Sequence, residues 1–447
     1  MEEEHIDMMR PKASDPNMGD LPPHHFRCPI SMEVMKDPVT ISTGVTYERK
    51  NIKKWFFTYK KKTCPVTMQS ISDSHITFTP NHTLKRLILL WQNHSSHQLP
   101  STSTSSSTPP CPYSSANHHE ILSLLNTIQS SPFKVTSLKK LRSIVEIGDD
   151  ETKTDFIRCN GVQILVRIVN QIHVVESSDF ITFRACEEAL GVLHQLPISE
   201  EEEDEEEEEN PAYKLLSKPE TMRCMTIMLQ RASAETRHHT ITILRKMAEN
   251  TDYDWNFVIQ DQGVDFFKSL LELVSDEICT KASSCALQVL IEIMGKSKKS
   301  RLRAIEAGAV CVLVEVLPDS NRSRCEKILQ SLKLLCECAE GRLALVEHGL
   351  GIAAISKKVL QVSNVTTKMV VKILWLLCNF HPTERLLDEM LVYGAVKKLL
   401  ALLHIDARSS TKAKLVNIFK WHGNYWSRYP CFPSEFKDFL GSVNASS

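Results

Sequence analysis

Cysteine and histidine are the side chains here with the most chemistry to offer, and two of the cysteines stand in matched settings. Cys28-Pro29-Ile30 and Cys64-Pro65-Val66-Thr67 are short Cys-Pro loops on either side of a segment that reads as a helix starting near Tyr47-Glu48-Arg49. Such a pair of loops could hold two zinc ions, each needing four Cys or His ligands in a tetrahedron. The ligands are missing. Ser31 stands three residues after Cys28, and Thr67 stands three after Cys64. No other cysteine lies in the stretch, and His24, His25, His75 and His82 cannot complete two sites. No metal is expected. A nucleophilic thiol would need an exposed loop and groups that lower its pKa. Cys325, Cys336, Cys338 and Cys378 instead sit in apolar helical segments, and Cys431 lies in the Pro-rich Tyr429–Pro433 stretch with no histidine beside it. The pairs His24-His25, His118-His119 and His238-His239 are adjacent in sequence, so their rings point apart on a helix. No Gly-rich phosphate loop is present. Covalent, metal and nucleotide chemistry all lack their residues, so no cofactor is expected and binding is what remains.

The elements that must position the two loops lie between Phe26 and Trp91. Asp37, Thr43, Tyr47, Glu48, Arg49 and Asn81 are suited to staple loops by hydrogen bonds and charge pairs, which a small domain with a thin core needs. Ile30, Val34, Val39, Ile41, Ile52, Trp55, Phe56, Leu84, Leu87 and Ile88 can make one compact core, with Trp91 beside them. Cys-Pro-Ile, Asp-Pro-Val, Tyr-Glu-Arg, Ile-x-x-Trp, Cys-Pro-Val-Thr and Thr-Pro-Asn-His-Thr-Leu follow one another in order over residues 24–92. In this set and spacing the stretch resembles the U-box, the metal-free relative of the zinc RING finger.

The N-terminus is acidic and lacks the basic-then-apolar pattern of a signal peptide, and no apolar run reaches the roughly 18 residues of a membrane span. The fourteen cysteines follow no disulfide rhythm, so they are expected to be reduced, in a cytosolic or nuclear protein. Glu200 to Glu209 are ten consecutive acidic residues; set aside from the total of −1, they leave +9 on the remainder. The run reads as a solvated loop that repels itself. The positive charge is spread along the chain with only Lys60-Lys61-Lys62 as a cluster, so nucleic acid is not an expected partner. Composition divides the chain into a flexible arm at 1–23, the U-box-like domain at 24–94, a Ser/Pro-rich linker at 95–117, helical repeats at 118–426 with the acidic insertion at about 199–210, and a tail at 427–447.

The repeats are legible from glycines that precede short apolar helices: Gly161, Gly263, Gly308, Gly349 and Gly394. The last four are 45, 41 and 45 residues apart, and the first gap of 102 fits two units plus the acidic insertion, with an extra helix pair at Tyr213–Arg231 and Glu235–Asn250. A period of about 40–47 with two or three helices per unit is that of armadillo and HEAT arrays. The expected fold is therefore an α+β U-box followed by an all-α armadillo-repeat solenoid. The whole layout resembles the plant U-box/ARM ubiquitin ligases, and the short N-terminus with the Thr79–Ile88 motif resembles the subgroup that damps immune and stress signalling.

That resemblance implies a RING-type ligase, which forms no bond to ubiquitin itself. It binds a ubiquitin-charged conjugating enzyme in a shallow groove and favours attack on the thioester by a substrate lysine. By motif position the groove falls on Pro29, Ile30, Trp55, Pro65 and Val66, while Asp37, Tyr47, Glu48, Arg49 and Asn81 are structural staples. The implied partners are the conjugating enzyme, ubiquitin and a protein substrate held on the armadillo surface by helices such as Phe183–Leu196, Thr280–Met294, Cys325–Cys338 and Thr366–Phe380. Pairing of two copies through the U-box is also open. The alternative is a non-enzymatic armadillo scaffold that uses the box only for pairing.

Overall fold

The computed structural model describes residues 23–72, 76–95, 113–131, 134–173, 180–197, 211–249, 254–276, 279–404, 409–430 and 432. The N-terminal arm, most of the linker, the acidic insertion, Cys431 and most of the tail lie outside the described residues. The chain divides into two compact units, Met1–Pro109 and Pro110–Ser447.

In the first unit, β1 (Pro38–Thr40) is the centre of a three-stranded antiparallel sheet between β2 (Thr46–Glu48) and β3 (Thr79–Pro80). Val39 faces Tyr47 across one side and Pro80 across the other. Tyr47-Glu48 thus ends a strand, and helix α1 (Arg49–Lys53) starts one residue later. It continues as a π-helical turn over Lys54–Thr58, closed by the Tyr59 N–H donating to the Lys54 carbonyl at 3.0 Å. Asn81 starts α2 (His82–Ser95), its Oδ1 accepting the Leu84 N–H at 3.0 Å as an N-cap.

The core contains Ile30, Val39, Ile41, Ile52, Phe56 and Ile88 as expected, and also Phe26, Cys28, Met32, Met35, Tyr47, Cys64 and Ile71. Leu87 departs from expectation: it is 48% exposed, because α2 turns Ile88 inward and leaves Leu87 and Leu89 outside.

The second unit is helical. A leading pair, α3 (Tyr113–Ser130) and α4 (Lys134–Ile147), is followed by α5 (Asp150–Arg158), α6 (Gly161–Asn170) and α7 (Phe180–Leu193), then α8 (Pro211–Leu216), α9 (Pro219–Arg231) and α10 (Ala234–Glu249). Next come α11 (Asn256–Asp261), α12 (Gly263–Ser275) and α13 (Thr280–Lys296), and α14 (Lys298–Glu306), α15 (Ala309–Val316) and α16 (Arg322–Leu335). The last two triplets are α17 (Ala339–Glu347), α18 (Gly351–Lys358) and α19 (Asn364–Phe380), and α20 (Glu384–Val392), α21 (Ala395–His404) and α22 (Ser409–Trp426). The third helices α7, α10, α13, α16, α19 and α22 pack each against the next, so every unit covers the apolar face of its neighbour. Side-chain caps punctuate the array: Asp149, Ser297, Asn321, Ser363 and Thr383 each accept a backbone N–H in the first turn of the helix that follows.

The glycines do two different jobs. Gly308 adopts φ 89 and ends α14 in the left-handed region. Gly161 instead lets α6 approach the Phe156 ring, where an added Cβ would meet ring carbon at 2.4 Å. Gly349 does neither, and Gly351 is the close-approach glycine of its unit, facing the Leu345 carbonyl. The α8–α10 unit has no such glycine because Pro219 makes the turn, at the first position of α9.

Between α4, α7 and α10 lies a buried polar layer. Arg142 pairs with Glu235 and, at 3.6 Å, with Glu188. Glu187 accepts from Arg184 at 2.7 Å and from the Ser233 N–H at 3.0 Å. The His194 and His239 rings stack 3.9 Å apart. At the other end the array closes on aromatic residues. Trp426 is buried and donates to the Leu387 carbonyl at 3.0 Å, and Tyr425 and Tyr429 donate to Asp388 at 2.9 and 2.7 Å. Tyr429 and the buried Phe432 therefore belong to the fold rather than to the tail.

Candidate functional site

The two Cys-Pro loops share one backbone geometry. In the first, the Cys28 N–H donates to the Glu33 carbonyl and the Met32 N–H to the Cys28 carbonyl, both at 2.8 Å. In the second, the Cys64 N–H donates to Gln69 and the Met68 N–H to Cys64, both at 2.9 Å. Met32 and Met68 both sit at φ 58, a left-handed conformation that a non-glycine residue holds only when its surroundings enforce it.

The sulfur at the root of each loop ties it to the rest of the domain. Cys28 Sγ accepts the Glu48 N–H at 3.2 Å and the Asn51 amide at 3.7 Å. Cys64 Sγ takes the Thr43 hydroxyl at 3.2 Å, the Thr67 N–H at 3.5 Å and a hydrogen bond shared with the Tyr47 hydroxyl at 3.1 Å. The Tyr47 hydroxyl in turn accepts the Val66 N–H at 3.3 Å. Both cysteines and Tyr47 are fully buried. Burial pushes the Cys64 thiol up, but the hydrogen bonds from Thr43, Thr67 and Tyr47 outweigh it and leave the thiol below its usual range. Burial and the Cys64 contact drive the Tyr47 phenol far above its own. Donors from the chain thus surround each sulfur where a zinc site would need further ligands.

The residues read as staples make the following contacts. Arg49 pairs with Asp37 at 2.6 Å and holds its carboxyl below the usual carboxylate range. The Glu48 carboxylate accepts the Lys36 and Asp37 N–H groups at 2.7 and 3.0 Å, tying the turn before β1 to the end of β2. Asn81 donates to the Thr46 and Thr40 hydroxyls at 3.3 and 3.4 Å while capping α2. The two cysteine sulfurs and Asn51 are the staples that residue type alone did not disclose. The recurrence of Cys-Pro-x-x-Met in both loops is the signal that could have found them.

The five residues expected to form a groove fall on the two loops and on the π-turn between them. The Trp55 indole N–H donates to the Thr63 carbonyl at 2.7 Å, which fixes the ring against the start of the second loop. Pro29, Trp55 and Val66 are half-buried and present apolar surface. Ile30, at 3% exposure, and Pro65 are buried, so in the free domain they support the surface from beneath. Two apolar side chains not foreseen as surface groups, Phe57 at 61% and Met68 at 67% exposure, stand out from the same helix and loop.

The sequence profile of the U-box domain matches residues 22–97, and that of the plant U-box protein ARM repeat region matches residues 119–439. The chain belongs to the plant U-box proteins with ARM repeats. Among its relatives, E3 ubiquitin-protein ligase PUB23 of Arabidopsis thaliana is 34% identical over 93% of this chain and 95% of its own. E3 ubiquitin-protein ligase PUB22 of the same plant is 32% identical over 93% and 98%. A computationally designed armadillo repeat protein of known structure is a loose match, with a TM-score of 0.44 at 17% identity over 57% of this chain and 98% of that one.

In this U-box/ARM protein the helices expected to face a partner, Phe183–Leu196, Thr280–Met294, Cys325–Cys338 and Thr366–Phe380, correspond to the third helices α7, α13, α16 and α19. Cys325, Cys336, Cys338 and Cys378 are buried there, and burial pushes Cys336 and Cys378 up to about 12, which leaves them unreactive thiols. Cys311 is exposed. With Glu315 and His348 it forms the one trio of metal-type ligands found among the described residues, their ligand atoms within 4.8 Å of one another. His348 Nδ1 already accepts the Leu350 N–H at 3.2 Å, and the Cys311 thiol bonds Glu315 at 3.5 Å.

Proposed function

We propose that this protein is a U-box E3 ubiquitin ligase. Its U-box receives a ubiquitin-charged conjugating enzyme, its ARM repeats hold a protein substrate, and ubiquitin passes directly to a substrate lysine. The observation that carries this reading is the pair of matched Cys-Pro loops fixed on either side of Trp55, in a chain whose relatives are named E3 ligases over nearly their whole length. The conjugating enzyme meets Pro29, Trp55 and Val66 directly, with Ile30 and Pro65 setting their height. A ligase of this kind contributes positioning and a shift toward the reactive arrangement of the thioester, so it needs no nucleophile of its own. The preset loops and the clamped indole suit that task, since little conformational freedom is lost on docking.

The same proposal extends to setting and pairing. Action in the cytosol or nucleus is supported by the absence of a disulfide rhythm among the cysteines, and a role in damping immune or stress signalling by the motif order of the Thr79–Ile88 segment. Pairing of two copies through the box is supported by the exposed Leu87 and Leu89 of α2. The test is autoubiquitination with a panel of conjugating enzymes, comparing the intact protein, Trp55→Ala and a zinc chelator. Chains from the intact protein that vanish with Trp55→Ala and ignore the chelator support the ligase. A folded intact protein that makes no chains with any enzyme leaves the scaffold as the better reading.

A further inference from the structure

At the C-terminal end of the array the third helices α16, α19 and α22 lie side by side, and their faces gather aromatic rings and lysines. Trp375 of α19 lies 6.2 Å from Trp421 of α22 and 6.4 Å, edge to face, from Phe380. Phe380 is 57% and Trp421 43% exposed, a large apolar area to leave in water. Cations frame these rings: Lys372 Nζ stands 4.3 Å over Trp375 and the Arg342 guanidinium 4.7 Å over Phe380.

Lys333 and Lys414 lie on the helices that flank α19, and both act on Lys372 between them. Partial burial holds Lys372 below the usual lysine range, and Lys414 and Lys333 push it the same way, with only Glu337 opposing. Glu337 is itself shared with Arg301 at 3.8 Å. None of the three lysines forms an ion pair with a carboxylate among the described residues. Like charges held together beside exposed aromatic rings cost the free protein energy that an acidic partner would return.

We propose that this three-helix face binds an acidic protein segment, its carboxylates against Lys333, Lys372 and Lys414 and an aromatic or aliphatic side chain between Trp375 and Trp421. The inference names the chemistry of the substrate side and rests on the reading of the ARM array as the substrate holder. A protein segment fits better than a nucleic-acid strand, which needs a longer run of available cations. Lys414 Nζ reaches only the Ser410 carbonyl of its own helix, at 3.0 Å, whereas further along the array Lys327 bonds the Ser284 hydroxyl of another helix at 2.7 Å and Arg324 the Val274 carbonyl at 2.6 Å.

The test uses the full chain and fluorescein-labelled probes followed by anisotropy. One probe is a short peptide alternating Asp/Glu with Phe and Leu, the second replaces its acidic residues with Lys, and the third is a single-stranded oligodeoxynucleotide. The acidic peptide is expected to bind at least about tenfold tighter than either other probe, more weakly in high salt, and to lose about tenfold or more in the Lys372→Glu/Lys414→Glu protein and a smaller factor in Trp421→Ala. Unchanged circular dichroism and melting keep those losses attributable to the surface. Equal binding by the charge-reversed protein overturns the proposal, and so does tighter binding of the oligonucleotide. Self-association of the intact protein that the charge reversal abolishes supports the acidic-segment chemistry of the face, with the Glu200–Glu209 run of a second copy as the occupant in place of a substrate. Autoubiquitination of the charge-reversed protein is measured alongside. It is expected to be unchanged, and its absence in the intact protein would sink the ligase reading without touching the peptide result.

Discussion

Cys64 in the U-box and Cys336 in the ARM array are both fully buried thiols, yet their surroundings push them in opposite directions. Around Cys64, Thr43, Thr67 and Tyr47 supply hydrogen bonds that overcome the effect of burial. Around Cys336 burial dominates and the thiol rises to about 12. The first sulfur is a junction of the polar framework and the second is a small piece of apolar filling. The difference extends to the units as wholes. The U-box has strands of two or three residues and draws its rigidity from particular hydrogen bonds. The array draws its rigidity from the same packing made again at every layer. A change to one framework residue should therefore be costly in the box, while a matching change in the array should be absorbed.

The sharpest way to break this contrast is a pair of substitutions. Cys64→Ala leaves the Tyr47 hydroxyl and two further donors short of an acceptor and should cost the U-box about 3 kcal/mol, whereas Cys336→Ala should cost the array about 1 kcal/mol through a small cavity. Hydrogen exchange of the full chain reads the two units separately, and equal losses would erase the distinction. Trp55→Ala should weaken binding of the conjugating enzyme by about 2 kcal/mol, as expected of a lost aromatic anchor, while the array's melting stays put. Calorimetric titration with the conjugating enzyme checks the first part and a melting scan the second.

A third prediction turns on pH and belongs to the array alone. Burial holds His194 at about 3, the positive charge of Arg142 pushing the same way, and burial holds His239 well below 6.5. Both rings are neutral in the folded chain, while in the unfolded chain they protonate near 6.5. Between 6.5 and 3 the unfolded state binds more protons, so stability falls as pH falls, by about 1.4 kcal/mol per unit for His194. Urea midpoints between pH 7 and pH 5 should drop for the array, and His194→Gln should flatten the slope. The smallest effect is Asp37→Asn. Its half-exposed pair with Arg49 is worth about 0.5 kcal/mol and, since the Asp37 carboxyl titrates below its ordinary value, is lost only as pH falls through the acid range. A loss several times larger in a denaturation series would make this pair a framework element on a par with Cys64.

These two kinds of architecture also explain what could be read in advance. Asp37, Glu48, Arg49 and Asn81 were legible because each polar side chain at a motif position has few structural uses. The sulfurs were not, since a cysteine without a ligand partner gives no sign that it accepts hydrogen bonds. The exposure of Leu87 and the burial of Ile30 depend on how α2 and the first loop settle on the sheet, which periodicity does not encode. In the array the helices followed from spacing, and the third-helix ladder from the resemblance to armadillo arrays. The glycine register did not, because Gly308 serves backbone conformation, Gly161 and Gly351 serve clearance, and Pro219 replaces both uses in one unit. The lysine and tryptophan face was hidden for the same reason: Lys333, Lys372 and Lys414 meet only once three helices from three repeats are laid side by side.

The sulfur junctions of the U-box have a kinetic consequence. A zinc-held domain cannot regain its fold until an ion arrives, so its recovery is a second-order event governed by scarce free metal. Every donor that closes on Cys28 and Cys64 belongs to the chain itself. After a local opening the box can reclose in a unimolecular step, at a rate set by its own loops.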